Sequence, residues 1–329
     1  MFMNSSKMIM LLILMSSTLF IMSMNSWIIS WLMMEINLFS FIPLIFSKNY
    51  LESESMMKYF FIQTISSIMM FMLIIMMWNW MNIKNYLFMM MNLCLLMKLG
   101  AAPFHYWYIQ IIESMNWFIF FFLSTWQKIM PMIMLSYNFN INLMMISIYM
   151  NSMVSMMGSI NQTSIQKLLG YSSINQISWM MSSMIMNNNL LNFYIFMYMF
   201  MMMNICMMFF MINIYYLNQL NNLNNNLKMT MMIFLSLGGL PPFMGFLMKW
   251  FTINFIIMNK FFMLNLMMIM SSLVILFTYL YMMYQCLMFN TFKMKWFIQF
   301  KNNNFMMINL NLLMMSLFTS IMMSIMYFM

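Results

Sequence analysis

Residues 98–107 read Lys98-Leu99-Gly100-Ala101-Ala102-Pro103-Phe104-His105-Tyr106-Trp107, inside an apolar run that extends from residue 86 to residue 110. As helix, a run of that length crosses the roughly 30 Å hydrocarbon core of a bilayer at about 1.5 Å per residue. Proline removes an intrahelical hydrogen bond and clashes with the preceding turn, so the sequence predicts a membrane helix that breaks near Pro103. A second stretch has the same character: Leu235-Ser236-Leu237-Gly238-Gly239-Leu240-Pro241-Pro242-Phe243-Met244-Gly245-Phe246, in a run over 229–258. It predicts a second break at Pro241 and Pro242. Each break has a lysine close by, Lys98 before the first and Lys249 after the second.

These residues stand out because the rest of the chain is so biased. Of 329 residues, 65% are apolar and 5% charged, whereas a soluble globular chain carries roughly 25% charged residues. There are 65 methionines, alanine occurs only at Ala101 and Ala102, and valine only at Val154 and Val274. Abundant Met, Asn, Ile and Phe fit a very AT-rich genome in which an additional codon is read as Met, which suggests a mitochondrial gene. Under such drift, clustered Gly, Ala and Pro mark places where backbone geometry or packing demands them.

Outward from the two breaks, apolar runs recur over 8–24, 27–46, 58–78, 86–110, 116–137, 141–160, 164–186, 190–215, 229–258, 261–285 and 305–328. The expected fold is an all-α integral membrane protein of about eleven transmembrane helices. The run at 8–24 has no small-residue cleavage site and reads as the first span, not as a secretory signal. The broken spans are the fourth and the ninth. Being five apart, they cross in opposite directions, as in inverted-topology repeats with a site near the bilayer midplane. The expected organisation is 1–137 as the first five-helix repeat, 138–288 as the second, and 289–329 as a loop and closing helix. With the N-terminus on one side, that side receives Lys7, Lys48, Lys58, Lys167, Lys228, Lys293, Lys295 and Lys301, and the other only Lys84 and Lys260. The positive-inside rule then puts the N-terminus in the matrix and the C-terminus on the intermembrane-space side.

Charges inside spans cost roughly 2.5 to 3.5 kcal/mol each on an insertion scale and are functional candidates by default. Four qualify: Glu35 in the second span, Lys98 in the fourth, Lys128 in the unbroken fifth and Lys249 in the ninth. An ammonium taken out of water gives up its proton more readily, and a carboxylate beside it restores the hold. A lysine so balanced can gain or lose a proton when a neighbouring charge moves, which is the chemistry of a relay. Buried ion pairs that merely hold helices in register are the alternative reading. Lys167, at the start of the seventh span, reads better as an interfacial anchor.

Other chemistries are poorly supplied. The formal charge of +9 comes from thirteen lysines scattered mostly through loops, with no arginine, which is not the clustered pattern of a nucleic-acid reader. Three cysteines in separate apolar segments have no CxxC spacing. His105 is the only histidine; it lies just past the first break, where it serves as a water-lining or a structural residue. Haem, copper and other histidine-ligated metals lack partners here. There is no glycine-rich nucleotide loop. No cofactor and no metal are expected on this chain.

The stretches 98–107 and 235–246 resemble signatures of the antiporter-like membrane subunits of respiratory complex I. So do Thr125-Trp126-Gln127-Lys128-Ile129-Met130-Pro131, Trp31-Leu32-Met33-Met34-Glu35-Ile36-Asn37-Leu38 and the stretch from Asn161 to Asn175. The resemblance runs in matching order over nearly the whole chain. It implies two inverted five-helix repeats, each with its fourth helix interrupted, and a central axis of charged residues and water. By motif match, Glu35 is the carboxylate partner of the first-half lysine Lys98, Lys128 is the central lysine, and Lys249 is the second-half lysine. Met248 stands where the family often has proline, and Gln176 where many relatives have histidine. The implied function is proton translocation in the mitochondrial inner membrane, coupled to NADH oxidation and quinone reduction. FMN, iron–sulfur clusters, NADH and ubiquinone would then be held by other subunits, and the partners would be other membrane-arm subunits and lipids. A stand-alone cation/proton antiporter on the same fold and a purely structural membrane subunit are the competing readings.

Overall fold

The structure is a computed structural model that describes residues 5–46, 49–79, 84–220, 234–241 and 243–290. These residues are almost wholly helical. The elements are α1 (Ser5–Ser23), α2 (Trp27–Ile45), α3 (Tyr50–Asn79), α4 (Lys84–Leu99) and α5 (Tyr106–Ser114), then α6 (Trp117–Ser124), α7 (Trp126–Tyr137) and α8 (Ile141–Ser159). There follow α9 (Ile165–Met186), α10 (Asn188–Ile212), the short α11 (Leu217–Leu220), a helical turn α12 over 234–238, α13 (Met244–Met258) and α14 (Phe262–Asn290).

Ten of the eleven anticipated spans fall on these helices; the eleventh, at 305–328, lies outside the described residues, as do Pro242, Lys48, Lys228, Lys293, Lys295 and Lys301. Among the described residues, seven segments are long and apolar enough to cross a membrane, with α6 and α7 taken together as one, 117–137. The count of eleven is therefore not reached by that criterion. Two of the shortfalls are the interrupted helices, whose pieces are short. Another is α9, which is rich in Ser, Asn and Gln yet buried along most of its length, from Ile165 to Met184. Its serines remain satisfied because each hydroxyl donates to a carbonyl three residues back, as Ser172 does to Leu169 and Ser182 to Trp179. A side chain that closes on its own backbone presents little bare polarity to its neighbours.

The outer surface is apolar where it is described. Leu12, Phe61, Met157, Met263 and Phe277 are each more than half exposed, a surface that suits lipid tails and would associate in water. Charged side chains are few on it, although Glu54 and Lys58 pair at 2.7 Å near the start of α3.

Two compact units divide between Asn151 and Ser152. Each contains one helix that ends on a left-handed glycine, and these two breaks are built alike. In the first, Gly100 N–H donates to Met97 O at 3.2 Å and Ala101 N–H to Leu96 O at 3.1 Å, with Gly100 at φ +68°. In the second, Gly239 N–H donates to Ser236 O at 3.1 Å and Leu240 N–H to Leu235 O at 3.3 Å, with Gly239 at φ +81°. This is a Schellman termination, which needs a left-handed residue and so selects glycine. Beyond the first break, Ala102 N–H is met by Asn151 Oδ1. In a bilayer such a freed group has to find a partner within the protein or at water.

The fifth span differs from its expected form. Lys128 was expected in an unbroken helix, but α6 ends at Ser124 and α7 starts at Trp126. Thr125 Oγ1 donates to Phe121 O at 2.6 Å and competes with the backbone for that carbonyl. One turn past Lys128, Pro131 lacks the N–H that would have bonded Gln127 O. The irregular stretch places Lys128 and Gln127 on a locally loosened helix.

Candidate functional site

In the first unit, α2 carries Glu35, and α4 delivers Lys98 in its last turn, just ahead of the Gly100 termination. The Lys98 ammonium lies 3.8 Å from Glu35 Oε1, with side-chain exposures of 4% and 15%. That distance is an ion pair without a direct hydrogen bond. Lys98 also lends its backbone carbonyl to Gln63 Nε2 of α3 at 3.2 Å, so the carbonyl left free by the break is capped by a side chain. α4 ends at Leu99, directly before Gly100, and the lysine one residue earlier is held at its backbone by Gln63.

Lys128 is buried in the same unit, its ammonium 5.1 Å from the centre of the Tyr108 ring. Cation–π attraction of this kind is worth roughly 0.5 to 2 kcal/mol, more when water is excluded. Tyr108 is held against the break: a Cβ placed on Gly100 would come within 2.8 Å of Tyr108 Cβ. Gly100 thus serves twice, by its positive φ and by letting the tyrosine approach.

The same unit holds a cavity of about 30 Å³, bounded by Lys98, Gln63, Asn37, Gln127, Trp107 and Tyr108 among others. Tyr59 closes it with aromatic contacts to Phe41 at 5.2 Å and to Trp107 at 6.1 Å. Asn37 and Gln127 form a reciprocal amide pair across it, at 2.8 Å and 3.3 Å.

In the second unit, Lys249 of α13 is buried and donates from Nζ to Gly238 O at 2.7 Å. It caps the carbonyl end of α12, a position favoured for a cation by the helix dipole. Gly239 leaves room for it, since a Cβ there would lie 2.9 Å from the ammonium. Gly245 admits the carbonyl of Ser236 where a Cβ would stand. Met248 is buried within an unbroken α13. Gln176 is buried in α9 and accepts a hydrogen bond from the Tyr194 hydroxyl of α10.

The structure thus brings Glu35 and Lys98 together, sets Lys128 over the ring of Tyr108, which lines the cavity, and joins Lys249 to its break at Gly238. Lys98 and Lys249 occupy different places relative to their breaks, one before and one after. His105 is not brought into the cavity; its Nδ1 lies 3.2 Å from Pro103 O. Among the described residues, no group of three or more His, Cys, Asp or Glu side chains could hold a metal ion. Reading from sequence missed Asn37, Gln63, Gln127, Tyr108 and Asn151. Asn37 and Gln127 adjoin the flagged charges Glu35 and Lys128, and that adjacency is a usable signal. Asn151 carried none, because asparagine is background in so AT-driven a sequence.

Residues 23–274 match the family described as NADH:quinone oxidoreductase/Mrp antiporter, TM. The NADH-ubiquinone oxidoreductase chain 2 of Anopheles gambiae is 41% identical over 91% of this chain and 91% of its own. That of Aedes aegypti is 39% identical over 92% and 93%, and that of the shrew Suncus etruscus 32% over 92% of each. Among solved structures, a chain of respiratory complex I from Thermus thermophilus with bound aureothin superposes with a TM-score of 0.77 at 17% identity. It covers 84% of this chain and 69% of that one. A chain of the Mrp complex from Dietzia sp. gives a TM-score of 0.72 at 10% identity, over 82% and 58%; these two likenesses concern the fold alone. Almost wholly helical among its described residues, with a glycine-terminated helix in each unit, and matched along nine-tenths of its length by these relatives, the chain belongs to the NADH-ubiquinone oxidoreductase chain 2 family of antiporter-like membrane subunits.

Proposed function

We propose that this chain is a proton-translocating membrane-arm subunit of a mitochondrial NADH:ubiquinone oxidoreductase, working through Glu35, Lys98, Lys128 and Lys249. The observation that carries the reading is the buried Lys98–Glu35 pair at an interrupted helix, separated by 3.8 Å. A pair that close feels every change in neighbouring charge, and the missing direct hydrogen bond leaves the ammonium free to pass its proton to water. NADH, FMN, iron–sulfur clusters and ubiquinone belong in this reading to other subunits, and this chain converts a transmitted charge or shape change into proton movement. Lys249 fits the same role because an amine donates to Gly238 O whether charged or neutral, so the capping bond survives loss of the proton. The two similar Schellman breaks support an organisation in two inverted repeats, 1–137 and 138–288.

Association with the oxidoreductase is tested on a native gel of gently solubilised mitochondrial membranes. The chain should migrate in the band that stains for NADH oxidation. Migration of the whole population apart from that band, with cation/proton exchange in proteoliposomes, would replace the reading with a stand-alone antiporter.

The lysine bias supports an orientation with the N-terminus and the loop near Lys58 in the matrix. In intact mitoplasts, an impermeant amine reagent should leave Lys7 and Lys58 unlabelled and modify Lys84 and Lys260. Labelling of Lys7 and Lys58 from the outer side would reverse the orientation.

A further inference from the structure

The cavity of the first unit has a feature that the charged residues do not explain. Its wall is crossed by Asn37 and Gln127, which bond each other reciprocally, Asn37 Nδ2 to Gln127 Oε1 at 2.8 Å and Gln127 Nε2 to Asn37 Oδ1 at 3.3 Å. Asn37 Nδ2 also reaches Met130 Sδ at 3.1 Å, so both of its hydrogens are engaged. One N–H of Gln127 and a lone pair on each amide oxygen are left over by the ordinary capacity of these groups. Trp107 Nε1, on the same wall, is buried and has no hydrogen-bond partner among the described residues. A cavity needs roughly 10–15 Å³ to hold one water, together with two to four polar partners. At about 30 Å³ this one holds roughly two. An apolar cavity of that size would stay dry.

Lys98 and Tyr108 both line the cavity, and the Tyr108 ring holds the Lys128 ammonium at 5.1 Å. We propose that the Asn37–Gln127 amide pair is a positioning element of proton transfer, which keeps this cavity wet and orients the water through which a proton passes between Lys98 and Lys128. The balance is simple. The Lys98 ammonium gives a proton to the water that faces it, another proton leaves the far end of the water chain for the neutral amine of Lys128, and no other bond changes. The amides exchange no proton. Their fixed mutual bonds aim the remaining donor and acceptors into the cavity, and the water need not reorganise at the moment of transfer. The role rests on the relay reading above.

The test uses three variants in the assembled complex: Asn37→Leu with Gln127→Met, the exchange Asn37→Gln with Gln127→Asn, and Lys128→Met as reference. Both isosteric apolar replacements remove the amide pair together, so no partner is left unsatisfied in the wall. The apolar pair should lower coupled quinone reduction and proton uptake by roughly tenfold or more, the scale of a lost proton-transfer arrangement, with NADH oxidation by an artificial acceptor unchanged. The exchange restores a reciprocal pair and should recover pumping to within about threefold of native. If the double apolar variant does not assemble, Gln127→Met alone carries the same expectation. Native pumping in the apolar variant, with pumping lost in Lys128→Met, overturns the role of the amides while the relay stands. An exchanged pair as inactive as the apolar one overturns it too, because orientation by the pair would then be irrelevant. Native pumping in Lys128→Met removes the relay itself, and this role with it.

Discussion

An assembled complex carrying Lys128→Met will oxidise NADH with an artificial acceptor at the native rate and will fail to pump protons. Methionine keeps the length and apolar fit of the buried lysine stem and removes only the titratable head, so the packing of α7 against its neighbours is preserved. What is lost is the cation held over Tyr108 at 5.1 Å, worth roughly 0.5 to 2 kcal/mol, against the cost of keeping a charge out of water. Stability should change little. Coupled quinone reduction, by contrast, should fall by roughly tenfold or more, because a removed proton carrier has no substitute at that depth. Lys167→Met, at the start of α9, should leave pumping within about twofold of native, since it removes no group placed in the relay. Proton uptake measured with a pH-sensitive dye in membrane vesicles, next to native-gel assembly, decides the matter. Full pumping by an assembled Lys128→Met complex would leave the buried lysines a structural role only.

The Lys98–Glu35 pair should behave in the opposite order. Lys98→Met alone strands a carboxylate in a nearly enclosed site, and breaking a buried pair costs roughly 3–5 kcal/mol. The single variant should therefore assemble poorly or not at all. Glu35→Gln with Lys98→Met removes both charges, a change that buried pairs tolerate with little loss of stability, and assembly should return. Pumping should not. A structural pair and a functional pair differ in this last measurement, because the structural reading expects activity to return with assembly. Recovery of native pumping in the double variant would take these two residues out of the relay.

Reading the chain as sequence alone was sufficient for its class. The charged fraction of 5% cannot make a water-soluble surface, and proline with glycine inside an apolar run dictates a broken helix wherever it occurs. Both breaks, at Gly100 and Gly239, are where those residues stand, because glycine adopts the left-handed conformation that ends a helix at the least cost, although α10 and α13 end on Asn213 and Lys260 in the same region. The burial of Lys98, Lys128 and Lys249 was equally legible, since a charge in the middle of an apolar span has few other places to go. Thr125 was not read, although the conflict between a threonine hydroxyl and its own helix is local in principle. Its outcome depends on whether neighbours favour the bent form.

Partnership was beyond the reach of sequence, for a physical reason. A helix presents its residues all around its axis, and which face meets which neighbour is set by packing among several helices at once. Only the folded chain makes Lys98 the partner of Glu35 from α2, brings Gln63 of α3 to the freed carbonyl of Lys98, and supplies Asn151 to Ala102. The cavity is likewise a property of the packing: Asn37 and Gln127, ninety residues apart, meet across it. Sequence determined that this protein crosses a membrane, where its glycine and proline breaks fall and that Lys98, Lys128 and Lys249 are buried; tertiary structure decided what those charges touch and that Glu52 is buried with them, because contact across helices is fixed by the closing of the bundle and not by any run within it.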